Sequence, residues 1–174
     1  MRLETERLAL RPWRESDVES LVRYANNRNV SLFLRDHFPY PYTPDDAHSW
    51  IGRCLAGARP PQNFAIEHAG EAIGGIGLQP LTDVSRFTAE VGYWLGEPFW
   101  GHGFATEALR RITRYAFSTF DVERLEAHVF ATNPASANVL RKAGYEHEAI
   151  LKRSVFKDGQ FIDCLLYARL RERT

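Results

Sequence analysis

The sequence predicts an α+β fold: a mixed, mostly antiparallel sheet of about seven strands flanked by helices, in the order β-α-α-β-β-β-α-β-α-β-β. Three observations carry that reading. The apolar period is helical in two stretches, Asp17 to about Asn26 and Thr43 to Gly57, becomes two from Asn63, and is helical again near Gly103. A strand pattern, Glu90 to Leu95, runs through Gly96-Glu97-Pro98 to Gly101 and Gly103 and opens into a helix. Two long strand patterns close the chain around Lys157-Asp158-Gly159, where Asp-Gly signals a hairpin.

In order, Leu8, Leu10 and Pro12 alternate with Ala9 and Arg11, giving a first strand from about Arg7 to Arg11. Ser16 with Glu19 reads as a capping box for a helix from Asp17 to about Asn26, and Val30 to Leu34 adds a short turn of helix. The prolines of His37-Phe38-Pro39-Tyr40-Pro41-Tyr42 forbid regular structure, so this aromatic loop is either a packed connection or a wall of a binding site. Thr43 caps a second helix, with Pro44 at its first position and Asp45 and Asp46 where the dipole favours acids; Gly57 and Pro60-Pro61 end it.

Phe64 to His68 and Glu71 to Leu78 form a hairpin about Ala69-Gly70, with glycines at 74, 75 and 77 allowing a bulge. After a turn at Thr82 to Arg86 comes the strand Phe87 to Leu95. The next helix carries Ala105, Ala108, Leu109, Ile112, Ala116 and Phe120 on one face. Leu125 to Ala131 alternates as a strand. Asn133 caps a helix with Pro134 at its first position, and Gly144 stops it. Tyr145 to Phe156 and Gln160 to Arg169 make the last hairpin.

At 174 residues the length prior gives one domain, 1–174. Lys+Arg and Asp+Glu are both 22, and a neutral balance argues against a nucleic-acid surface, which needs a basic excess. The N-terminus MRLETERLAL has charges where a signal peptide needs an apolar core, and no apolar run is long enough to span a bilayer, so a cytoplasmic location is expected. Cys54 and Cys164 lack metal-site or redox spacing. No metal is expected, and two buried thiols in a reducing compartment is the plain reading.

The strand–Gly-x-Gly–helix junction leaves several backbone N–H groups unpaired and pointing one way, a place to hold a phosphate. A dinucleotide fold is excluded because no βαβ unit precedes the turn and the third glycine is replaced. With the elements placed, the chain resembles the GNAT superfamily of acyl-CoA-dependent N-acetyltransferases, in the branch of the bacterial ribosomal-protein N-terminal acetyltransferases (RimJ/RimL-like). The resemblance rests on TERLALRPWRESD, EVGYWL, FWGHGFATEAL, VFATNPASANVLRKAGY and the closing DCLLYARL. The superfamily's pyrophosphate pattern, Gln/Arg-x-x-Gly-x-Gly/Ala, falls on Trp100 to Ala105, with Trp100 replacing the usual Gln or Arg.

That resemblance implies acetyl-CoA as co-substrate and direct transfer to a primary amine, either a protein N-terminus or a small molecule. It assigns cofactor contacts to Trp100, Gly101, His102, Gly103, Phe104, Ala105 and Thr106 at the turn, although His102 also reads as a solvated loop residue. The strand residues Tyr93, Trp94 and Leu95 would hold the pantetheine arm, and a backbone N–H there would be the oxyanion donor. Asn133 is either a helix cap or an amide bonding the cofactor, and Asn138 and Arg141 either reach the cofactor or are solvated. Many members carry a Tyr acid seven residues after this Asn; here it is Leu140, and Ser136 remains as a hydrogen-bond stabiliser of the thiolate. Glu90 is the expected base, against a plain reading as a strand carboxylate, with Asp36 and His37 next; the Pro39–Tyr42 loop, including Tyr40, would help select the acceptor. An α-amine (pKa ~8) costs about 1–1.5 kcal/mol to deprotonate at pH 7, against roughly 4.5–5 for a lysine, so an α-amine needs little from a base. Homodimers are common in the group that the chain resembles. The competing reading is a non-catalytic acyl-CoA-binding domain on the same scaffold.

Overall fold

The computed structural model describes residues 1–172; positions 173 and 174, the last two of the expected domain, lie outside the described residues. Eight strands form one sheet: β1 (Leu3–Glu4), β2 (Ala9–Arg11), β3 (Asn63–His68), β4 (Glu71–Pro80), β5 (Thr88–Leu95), β6 (Arg124–Phe130), β7 (Glu146–Lys157) and β8 (Gln160–Leu170). Their spatial order is β1-β2-β3-β4-β5-β6-β8-β7, and every pairing is antiparallel except β5 with β6. The eighth strand, beyond the seven expected, is the two-residue β1, too short to leave a periodic signal.

Helices α4 (Phe104–Thr119) and α5 (Pro134–Lys142) cover one face of the sheet. Their core includes Leu109, Ile112 and Leu140 against Ile76, Val91, Leu95, Leu125 and Val129. On the other face α1 (Val18–Ala25) and α3 (Pro44–Leu55) pack Leu21, Ala25, Ala47 and Ile51 around Trp13, Ala65 and Trp94; the single turn α2 (Arg28–Ser31) follows α1. Thr43 caps α3 with Pro44 in its first turn, as its sequence predicts, and Asp46 completes a capping box with it.

One local expectation is corrected. The Ser16–Glu19 capping box does not form. Residues Glu15–Asp17 make a short 3-10 turn, and the Asp17 carboxylate accepts from the Arg14 amide at 2.8 Å while pairing with Arg11. The Asp17 carboxylate, held by the buried Arg11 guanidinium, accepts the backbone donor, and Ser16 stays exposed. The bulge expected in β4 forms at Ile73, beside Gly74: Ile66 faces Gly74 while Glu67 faces Ala72.

Candidate active site

The site begins where two strands part. β5 and β6 are registered only at Thr88–Arg124, Ala89–Leu125 and Glu90–Glu126, and beyond these pairs they diverge. The Gly96 amide donates to Ile73 O on the β4 side, at the end of an unbroken antiparallel register. Alternation along such a ladder then aims the backbone groups of Glu90, Gly92 and Trp94 at β4, and those of Val91, Tyr93 and Leu95 into the gap. The Leu95 carbonyl is taken by Trp100 Nε1 at 2.9 Å. A cleft of about 1590 Å³ passes through the parting and reaches both faces of the sheet.

On the α4 side the cleft meets the turn. Gly101 and Gly103 have φ of 79° and 81°, which glycine adopts without strain, and α4 opens at Phe104. Among the described residues, none of the six amides from Gly101 to Thr106 donates to a protein acceptor; the first bond of the helix is Glu107 N to Gly103 O, 3.1 Å. Six orphan donors at a helix N-terminus fit a pyrophosphate in number and in sign. Arg7 braces the turn, donating to His102 O at 2.9 Å and lying 4.8 Å over the Phe104 ring.

Across the gap stands the start of α5. Asn133 Oδ1 accepts from Ser136 N at 3.1 Å, so Asn133 does cap the helix, and its Nδ2 has no partner among the described residues. The Tyr93 hydroxyl reaches from β5 to Ser136 Oγ, 2.9 Å away. Burial pushes the Tyr93 phenol well above its ordinary value, so it keeps its proton. Leu140, one turn further, is fully buried and apolar.

On the α1–α3 side, Glu90 meets His128 of β6 and Arg35 of the loop after α2. His128 Nδ1 lies 3.7 Å from Glu90 Oε1, an ion-pair separation, and is buried without a hydrogen-bond partner. His128 and then Arg35 hold the Glu90 carboxyl below its ordinary range; Glu90, with Glu126 adding, lifts the His128 imidazole above its own, against Arg35. Between Glu90 and Trp94 lies Gly92, where an added Cβ would meet nothing within 4 Å. The tip of the β7–β8 hairpin is fastened over this side by Lys157 to Asp36 (2.8 Å) and Asp158 to Arg28 (2.6 Å).

A family model described as Acetyltransferase (GNAT) domain matches residues 7–146. The chain belongs to the GNAT family. Its relatives include the uncharacterized N-acetyltransferase YoaA of Bacillus subtilis, 30% identical over 98% of this chain and 97% of that protein. They also include the ribosomal protein uS5 alanine N-acetyltransferase of Escherichia coli, 28% identical over 97% of this chain and 90% of that one. Among solved structures, Mycobacterium smegmatis RimJ in complex with CoA-disulfide superposes with a TM-score of 0.83 at 28% identity, covering 94% of this chain and 81% of that one. This GNAT chain is therefore an acetyltransferase with RimJ-like relatives, and the non-catalytic alternative is set aside.

Of the residues the sequence singled out, Asp36, His37, Glu90, Tyr93, Trp94, Leu95, Trp100, Gly101, Gly103, Phe104, Ala105, Thr106, Asn133, Ser136 and Asn138 line the one cleft. Tyr40, His102 and Arg141 are not brought to it: Tyr40 lies under Arg28, His102 stacks on Phe104, and Arg141 is exposed. Three features escaped sequence reading. Alternation already set His128 opposite Leu125, Ala127 and Val129, but not beside Glu90. Gly92 showed no signal that its neighbourhood is open, and nothing in the chain pointed the Tyr93 hydroxyl at Ser136. Among the described residues no helix is long and apolar enough to cross a membrane.

Proposed function

We propose that this enzyme transfers the acetyl group of acetyl-CoA directly to a primary amine, with the α-amine of a protein N-terminus as its acceptor. The observation that carries this reading is the parting of β5 and β6, which puts the orphan amides of the glycine turn and an acid–base pair at the two ends of one cleft. Bound acetyl-CoA would supply the activated acyl group and a thiol leaving group. The amides of Gly101 to Thr106 would hold its pyrophosphate, and the gap-facing backbone of Tyr93 and Leu95 its arm. A gap-facing N–H would stabilise developing charge on the acyl oxygen, a role worth a few kcal/mol.

The amine would enter over Gly92. His128 is the better base of its pair, because its imidazole is raised while Glu90 is lowered; Glu90 and Arg35 orient it. Burial pushes the Cys54 thiol up to about 12 and raises that of Cys164, which disfavours thiolate and an acyl-enzyme route. An α-amine needs little from a base, and two relatives are named for ribosomal proteins, one as a uS5 alanine N-acetyltransferase and one as a ribosomal-protein-serine acetyltransferase.

Free-thiol release from acetyl-CoA, measured against unblocked N-terminal peptides, N-blocked lysine peptides, polyamines and amino sugars, tests the proposal. Turnover on unblocked peptides alone is expected. CoA binding without turnover on any amine would defeat it, and turnover confined to small amines would move the acceptor. Gly103→Val should abolish CoA binding, since a β-branched residue is strained at this φ; retained affinity would remove the turn from the argument.

A further inference from the structure

The serine at the start of α5 does not stand alone. Ser136 Oγ has one proton and can accept through its lone pairs. Among the described residues its only partner is the Tyr93 hydroxyl, at 2.9 Å; Tyr93 has the Ser136 carbonyl as a second acceptor, at 3.3 Å. The two acceptors lead to opposite outcomes. If Tyr93 donates to the carbonyl, the serine proton is used up on the phenol oxygen. If it donates to Oγ, the serine proton has no protein acceptor and is free to face the cleft that Ser136 lines. Either oxygen can donate in the 2.9 Å contact; of the two donations open to the phenol, the one to Oγ is the shorter.

Three further features support that arrangement. Asn133 fixes the backbone of Ser136 through its amide, so the hydroxyl is held at a set place on the cleft wall. Tyr93 belongs to the stretch of β5 whose backbone groups face the gap, so one residue frames the arm's path and reaches the serine. Leu140, one turn along α5, offers no hydroxyl, and the strand supplies the one that the helix lacks.

We propose that Tyr93 is the positioning residue for Ser136, donating into its Oγ and thereby turning the serine proton toward the departing sulfur of acetyl-CoA. This deepens the proposed function and rests on it. In the balance of the step, the amine nitrogen bonds to the acyl carbon and the C–S bond breaks with its electron pair on sulfur. The amine's proton leaves through His128. Ser136 and Tyr93 keep their protons and stabilise the thiolate by hydrogen bonding, each polarising the next.

The test reads the thiol as well as turnover. The pKa of the CoA thiol in its binary complex is measured by thiolate absorbance across a pH series, for the wild type, Tyr93→Phe, Ser136→Ala and the double variant. A value about one unit lower in the wild type than in either single variant is expected. With it, kcat should fall about tenfold in each single variant while KM for acetyl-CoA stays within about twofold. The double variant should be no worse than either single one, because the two hydroxyls act as a chain. Ser136→Thr should retain the wild-type shift. To hold packing constant, 3-fluorotyrosine at position 93, a stronger donor, should lower the bound thiol's pKa further. An unchanged thiol in both Tyr93→Phe and the fluorinated protein, or losses that multiply in the double variant, would overturn the role of Tyr93. A wild type that fails to bind CoA at all would overturn the proposed function instead.

Discussion

Two of the arginine–carboxylate clusters on this sheet are built to opposite ends. In the first, Arg11 donates to Asp17 at 2.7 and 2.8 Å, to Glu67, and to Pro12 O at 3.0 Å; Glu67 also pairs with Arg2 at 2.8 Å. Arg11, Asp17 and Glu67 side chains are 2%, 7% and 9% exposed. In the second, Arg35, Glu90 and His128 are 52%, 21% and 27% exposed, and the His128 Nδ1 finds no hydrogen-bond partner. Saturated and dry, the Arg11 cluster ties α1 to β2 and β3. Part-exposed on a cleft, the His128 cluster can meet a ligand, with its Nδ1 turned inward toward Glu90. Residue types alone would not separate them; the count of satisfied groups does.

The largest effect expected from breaking that contrast is on stability. Arg11→Met leaves the buried Asp17 without a charged partner and Glu67 with Arg2 alone, and should cost about 3–5 kcal/mol, measured by urea denaturation. Arg35→Met, on an exposed pair, should cost less than about 1 kcal/mol in the same assay. Equal losses would erase the distinction. Next, His128→Gln should lower kcat/KM about a hundredfold while stability moves by less than about 1 kcal/mol, whereas a conservative change in the Arg11 cluster should show the reverse.

Acid sharpens the contrast further. Hydrogen bonds from Arg2 and then Arg11 hold Glu67 at about 2, below its ordinary 4.5. A depressed carboxylate adds stability that is present above its unfolded pKa and is lost as pH falls through the folded value. Denaturation midpoints followed from pH 4.5 down to 2 should fall in the wild type and flatten in Glu67→Gln. The smallest effect is on the rate profile. Activity should rise with pH as His128 loses its proton, and Glu90→Gln, which removes the charge lifting the imidazole, should move that limb to lower pH by under about one unit. A shift to higher pH would assign the limb to another group.

Much of the fold was legible because its signals are local. Thr43-Pro44-x-Asp46 marks a helix start wherever it occurs, Ala69-Gly70 and Asp158-Gly159 turn strands with positive φ, and Gly144 ends α5 in the left-handed region. The failure of the Ser16 cap is not legible locally, because Arg11, which holds the Asp17 carboxylate in place, lies on another element. At the site, the turn and Asn133-x-x-Ser136 could be read from spacing. His128 and Arg35 could not, since their role depends on β6 lying parallel to β5 and on where the loop after α2 returns.

The sequence by itself determined an α+β chain of GNAT pattern, with a glycine turn opening a helix and a helix cap bearing Asn133 and Ser136. Those are properties of backbone conformation and periodicity, which neighbouring residues dictate. Tertiary structure alone decided that β5 and β6 part after three registered pairs, that His128 faces Glu90, and that Tyr93 meets Ser136 43 positions away. Each depends on strand register and on which elements become neighbours, and no local signal encodes either.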